Sequence, residues 1–211
     1  MNKLLKLYYS LLKKYGHQGW WPLMQIKQND GYHPRDYSYP KTKKQIFEIC
    51  IGAILTQNTS WSNASRALKN LQSKTNFNIK KILSLKNQEL AKIIKSAGYY
   101  NQKAKKILEF SKFFQKLKKA PTRQELLEIW GIGPETADSI LLYAYKKPHF
   151  IVDKYTFRFL KRMRFLPKNF NFNYQKIKEL IEKNLKKDYK LYQEFHALIV
   201  REEKNKKIKV A

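Results

Sequence analysis

Apolar residues recur along this chain mostly at helical spacing. The clearest run is Phe47, Cys50, Ile51, Ile54 and Leu55, whose i, i+3, i+4, i+7 pattern lines one face of a helix from about 43 to 58. Similar patterns predict helices over about residues 60–73, 79–85, 88–96, 101–118, 122–129, 134–146, 154–163, 173–186 and 189–204. The opening MNKLLKLYYSLLKKYG is amphipathic as well. Seven glycines and seven prolines leave little turn material for an all-β fold, so the expected class is all-α. One long stretch, 19–41, lacks periodicity but carries Trp20, Trp21, Pro22, Tyr32, Pro34, Tyr37, Tyr39 and Pro40. Loops of this length are usually functional or disordered, and the aromatic content favours an ordered one. The charged tail 201–209 is expected to fray.

Charge then changes the picture. Among 211 residues, 44 Lys plus Arg face 16 Asp plus Glu, a formal charge of +28. Self-repulsion on that scale is costly unless a polyanion lies against the protein, which makes nucleic acid the first partner to consider. At 43 % hydrophobic and 14 % aromatic residues, the chain is too apolar for a disordered basic tail. No apolar run approaches the roughly 18 residues of a membrane span, so a cytoplasmic protein without a membrane partner is expected. Cys50 is the single cysteine and His17, His33, His149 and His196 are scattered, so neither an iron–sulfur cluster nor a metal site is expected.

Two segments carry candidate chemistry. In LLEIWGIGPETADSILLYAY, residues 126–145, two helical patterns are joined by Gly131, Ile132 and Gly133, with Pro134 suited to the first position of the second helix. Glycines on either side of an aliphatic anchor let a backbone approach a ligand, and the free N–H groups at a helix start favour an anion such as a DNA phosphate. An ordinary αα-turn with a glycine stop is the plainer alternative. Ile132 must then pack inward while its neighbours face out. Eighteen residues after Glu135 comes Asp153, one of five aspartates, at the end of a short β-prone run (149–153) and the start of the next helix. A helix N-cap is the simplest role for it, and that role is compatible with an ionised carboxylate facing a developing positive charge.

The hairpin Gly131-Ile132-Gly133 with Thr136-Ala137, followed by Val152-Asp153, resembles the helix-hairpin-helix and aspartate signature of the endonuclease III superfamily of DNA glycosylases. Gly52-Ala53-Ile54-Leu55-Thr56-Gln57-Asn58-Thr59 and Gly98-Tyr99-Tyr100-Asn101-Gln102-Lys103-Ala104 resemble two further DNA-facing turns of that family. The Trp20-Trp21-Pro22 element and Phe47 are similar to the 3-methyladenine glycosylase branch. The resemblance implies a two-lobed helix-hairpin-helix glycosylase fold. Residues 1–25 with 149–211 would form a terminal lobe, 42–148 a six-helix lobe, and 26–41 a connecting aromatic loop. It also implies roles: Asp153 in catalysis, Trp20, Trp21, Pro22 and Phe47 at the base pocket, and Gln57, Tyr99, Gly131, Ile132, Gly133, Glu135 and Thr136 on the DNA. For Phe47 its helix position favours the core, and for Gln57 and Tyr99 a turn and a surface role are the plainer readings.

Two departures narrow this. Where bifunctional members carry a hairpin lysine this chain has Glu135, and a carboxylate cannot form a Schiff base. The family's four-cysteine cluster motif is missing, so packing of Phe159, Leu160, Leu180, Ile181, Leu185, Tyr192, Phe195 and Ile199 must hold the terminal lobe. The expected activity is that of a monofunctional, monomeric base excision repair glycosylase that removes alkylated purines from damaged double-stranded DNA. The alternatives are a bifunctional glycosylase and lyase for damaged pyrimidines, using a lysine such as Lys154, and a helix-hairpin-helix binding module without catalysis. No cofactor is expected, while a monovalent cation at the hairpin carbonyls, as in relatives, stays open.

Overall fold

Helix α2 (Lys43–Leu55) begins at a capping box in which the Thr42 side chain accepts from the Gln45 N–H and the Gln45 side chain reaches back. Every residue from Phe47 to Leu55 is buried. The apolar stripe seen in the sequence therefore understates the helix: Ile49 and Ala53, off that stripe, are 1 % and 4 % exposed, the signature of a core helix packed on all sides. In this computed structural model, which describes residues 2–208, the other helices are α1 (Lys3–Tyr15), α3 (Trp61–Thr75), α4 (Ile79–Leu83), α5 (Asn87–Ile93), α6 (Tyr100–Lys116), α7 (Arg123–Leu127), α8 (Pro134–Ser139), α9 (Lys154–Arg162), α10 (Tyr174–Asn184) and α11 (Tyr189–Ile208). Helix α8 runs on as a π-helical turn through Ile140–Ala144. No strand occurs among the described residues.

The chain divides into two units. The middle unit, Ser38–Tyr145, packs α3, α6, α8 and the π-helical turn around α2. The other unit joins the chain ends, up to Tyr37 and from Lys146 onward, and packs α1 and α9 on α11. Its core holds Phe159, Leu160, Ile181, Leu185, Tyr192, Phe195 and Ile199, all buried, whereas Leu180 is only half-buried.

Three segments take their form from contacts outside the local sequence. The β-prone run before Asp153 forms no strand, because side chains satisfy its backbone: Glu182 accepts from Phe150 N at 2.8 Å and Lys178 Nζ donates to Phe150 O at 3.3 Å. The charged tail does not fray over its described part. Helix α11 continues to Ile208 because Glu202 and Glu203 are buried and paired, Glu202 with Lys14 at 2.8 Å and Glu203 with Arg162 at 2.8 Å; Lys209 lies outside the described residues. The aromatic loop also groups differently from the expected connector, since residues up to Tyr37 belong to the unit of the chain ends. It is held by backbone bonds from His33 N to Gly19 O and from Leu23 N to Gly31 O, both 3.1 Å. A side chain at Gly19, whose φ is +67°, would lie 2.3 Å from the Pro34 backbone, so glycine is required for that crossing.

No helix among the described residues is long and apolar enough to cross a membrane. Nor do three His, Cys, Asp or Glu side chains gather there into a metal-holding group.

Candidate active site and DNA interface

In the middle unit, α7 and α8 form the hairpin. Thr122 caps α7 through a capping box with Glu125, and Ile132 N closes the turn on Ile129 O at 3.0 Å. Ile132 is 4 % exposed, the inward anchor required of it, while Gly133, Pro134 and Glu135 are exposed. Gly133 caps α8 and Pro134 occupies its first position, where the missing N–H costs nothing. A feature that neither helical periodicity nor motif spacing signalled clamps the two helices: Arg123 Nε donates to Asp138 Oδ1 at 2.8 Å, and Asp138 is fully buried.

Gln57 does not project from its turn. Its Nε2 donates to Gly131 O at 3.1 Å and to Thr136 Oγ1 at 2.9 Å, and Lys106 Nζ donates to its Oε1 at 2.5 Å. Thr136, expected on the DNA, is thus 7 % exposed with its hydroxyl turned to Gln57, so its side chain supports the hairpin from within. Tyr99 does project: it is 67 % exposed, in a left-handed backbone conformation with φ +46° at the start of α6. One turn into α6, Lys103 is buried and donates to Leu55 O at 2.9 Å and Ala97 O at 2.7 Å. These are the carbonyls just ahead of the Gln57 and Tyr99 turns, so one ammonium ties both turns to α6. Burial, reinforced by the Lys106 charge, pushes the Lys103 pKa down to about 8. Phe47 is 1 % exposed and packs on Phe114 and Phe110 with ring centroids 4.9 and 6.4 Å apart. This is the core position that its helix register favoured.

The unit of the chain ends holds Asp153. Its Oδ1 accepts from Thr156 N at 2.7 Å, making it the N-cap of α9. Its Oδ2 lies 3.6 Å from His196 Nε2, an electrostatic contact rather than a formed hydrogen bond. Burial by itself raises the pKa of this carboxyl, but His196 and the Thr156 N–H outweigh it and hold the group below its ordinary value. His196 also meets Trp20 edge-on, with centroids 5.7 Å apart. Trp20 is half-buried, Trp21 is 8 % exposed, and Pro22 is buried. The segment is anchored by Gln18, whose N–H donates to Glu194 Oε1 at 2.6 Å, and by His33, whose Nε2 lies 2.9 Å from Trp21 O. In the sequence His196 is one of four scattered histidines. The available signal is its place inside the run from Tyr192 to Val200, every residue of which is buried.

Known proteins resemble this chain in sequence and fold. The pattern of the HhH-GPD superfamily base excision DNA repair proteins matches residues 51–187. A Methanocaldococcus jannaschii protein named "Putative DNA repair glycosylase MJ1434" is 40 % identical over 209 residues, spanning 93 % of this chain and 85 % of that one. Among solved structures, the H. pylori 3-methyladenine DNA glycosylase MagIII bound to 1,N6-ethenoadenine superposes with a TM-score of 0.74 at 29 % identity, covering 97 % of each chain. A trapped endonuclease III–DNA covalent intermediate superposes with a TM-score of 0.72 at 19 % identity, covering 95 % of this chain and 85 % of that one, which speaks to fold alone. The chain belongs to the HhH-GPD superfamily of base excision DNA repair proteins and is a DNA-binding DNA glycosylase.

Proposed function

We propose that this glycosylase is monofunctional and hydrolyses the N-glycosidic bond of alkylated purines such as 3-methyladenine. The observation that carries the reading is the placement of Asp153 and Trp20 on the same histidine, an ionised carboxylate and an aromatic ring brought together by His196. A 3- or 7-alkylated purine is cationic, so it is attracted to an aromatic face and departs as a neutral base with little acid catalysis. As the bond between C1′ and the base nitrogen breaks, its electron pair leaves with the base. The oxocarbenium-like sugar then faces the Asp153 carboxylate, which stabilises it and orients the water that adds to C1′, the proton of that water passing to the carboxylate and on to solvent. Trp20, Trp21 and Pro22 supply the aromatic slot.

Two further observations support this reading. Glu135 stands exposed in the first turn of α8, so the hairpin offers no amine to attack the sugar. The similar H. pylori structure is that of a 3-methyladenine DNA glycosylase bound to 1,N6-ethenoadenine. A panel of lesion-containing duplexes tests the substrate claim. Release of 3-methyladenine is expected, and efficient release of thymine glycol without alkylated purines would overturn it.

A further inference from the structure

Lys106 has an unusual setting. Its stem crosses Gly131 so closely that a Cβ there would lie 2.5 Å from Cε and 2.7 Å from Cγ, and the φ of +82° at residue 131 favours glycine on its own account. Its ammonium rests on a neutral amide, Gln57 Oε1, which in turn holds Gly131 O and Thr136 Oγ1 on both sides of the turn. Burial lowers its pKa, and no carboxylate contributes against it. One turn back, Lys103 is likewise solvated by carbonyls instead of an acid. Two cations are therefore held beneath the hairpin and its neighbouring turns at a desolvation cost that no anion among the described residues offsets. A polyanion placed there would offset it.

We propose that Lys106 is a DNA-binding residue of the hairpin, held against the turn by Gln57 in the free protein and delivering its ammonium to a backbone phosphate of the bound duplex. The ammonium has three donors on a flexible stem, and Gln57 engages one of them. Gln57 acts here as a positioning residue, because its amide fixes both the hairpin and the lysine beside it. The inference rests on reading the hairpin as the phosphate grip of this DNA-binding chain.

The test compares three variants of the full chain on undamaged duplex across a salt series, with thermal melting as a control for folding. Lys106→Met keeps the stem over Gly131 and removes the charge. Lys106→Arg keeps the charge. Gly133→Leu places a side chain where the free protein has open space and DNA would approach. Lys106→Met is expected to lower the slope of log affinity against log salt by about 0.9, the value of one phosphate contact, and to weaken binding several-fold at about 0.1 M salt. Lys106→Arg should retain the parent slope. If Lys106→Met leaves slope and affinity unchanged while Gly133→Leu weakens binding, the assignment of Lys106 is overturned and the hairpin reading stands. If neither variant alters binding, the hairpin reading falls with it.

Discussion

His196 Nε2 stands 3.6 Å from Asp153 Oδ2, and the same imidazole meets the Trp20 ring edge-on. A carboxyl in a largely buried site would ordinarily gain a proton more readily. Here the histidine and the helix-start N–H of Thr156 reverse the sign, and Asp153 stays ionised below its usual range. The group suited to face a positive sugar is thus kept charged by its neighbours, and His196 is the neighbour that mutation can remove without touching the N-cap.

Replacing His196 with Phe keeps the edge-on contact with Trp20 and removes the electrostatic partner. The acid limb of the pH profile of base release should then move to higher pH, since burial is left opposed only by Thr156. An unchanged acid limb would show that His196 does not act on Asp153. In the parent protein the folded pKa of Asp153 lies below an unfolded value of about 3.9. Its stabilising contribution is accordingly full above that value and is lost as pH falls through the folded pKa.

Asp153→Asn should abolish base release and leave DNA binding intact or tighter, because the charge goes and a cap oxygen remains. Asp153→Ala should in addition cost about 1 kcal/mol of stability through the lost cap, measurable by denaturant unfolding. Near-normal turnover in the Asn variant would remove Asp153 from the catalytic role.

Incubation of the protein with abasic-site DNA and borohydride should leave no covalent adduct, given Glu135 at the hairpin. An efficient trap would contradict the monofunctional reading and point to another amine, such as Lys154 beside the carboxylate.

Trp20→Ala should reduce excision of 3-methyladenine more than that of neutral hypoxanthine, because an aromatic face contributes about 0.5–2 kcal/mol to a cation. Trp20 is the better probe of the pair, since Trp21 is 8 % exposed and its truncation would also open a cavity. Equal losses for both bases would assign the ring to the fold.

Arg123→Met should destabilise the protein by about 1.5–3 kcal/mol, the worth of hydrogen bonds to a charged group, because Arg123 donates to the buried Asp138 through both Nε and Nη2. The loss should appear in the unfolding midpoint and also in DNA binding, since the pair joins the two helices of the hairpin. A variant as stable as the parent would show that Asp138 is satisfied by other groups.

The sequence by itself determined the helices, the hairpin with its inward Ile132, and the cap at Asp153. These depend on periodicity, glycine and proline placement and capping chemistry, all expressed within a few residues of each other. It also places a glutamate at the hairpin and a single cysteine in the chain, which is why hydrolysis without a hairpin amine and without a four-cysteine cluster is the expectation. Tertiary structure decided what lay between distant segments. Helix α2 is enclosed on every side because neighbours cover the face that local pattern left ambiguous. The run before Asp153 is no strand because Glu182 and Lys178, about 30 residues away, take its backbone bonds. His196 reaches Asp153 across 43 positions, and Gln57 reaches the hairpin across 74. Hydrogen bonds and charge pairs act over a few ångströms of space, and a single sequence records which groups are available but not which of them folding brings within that range.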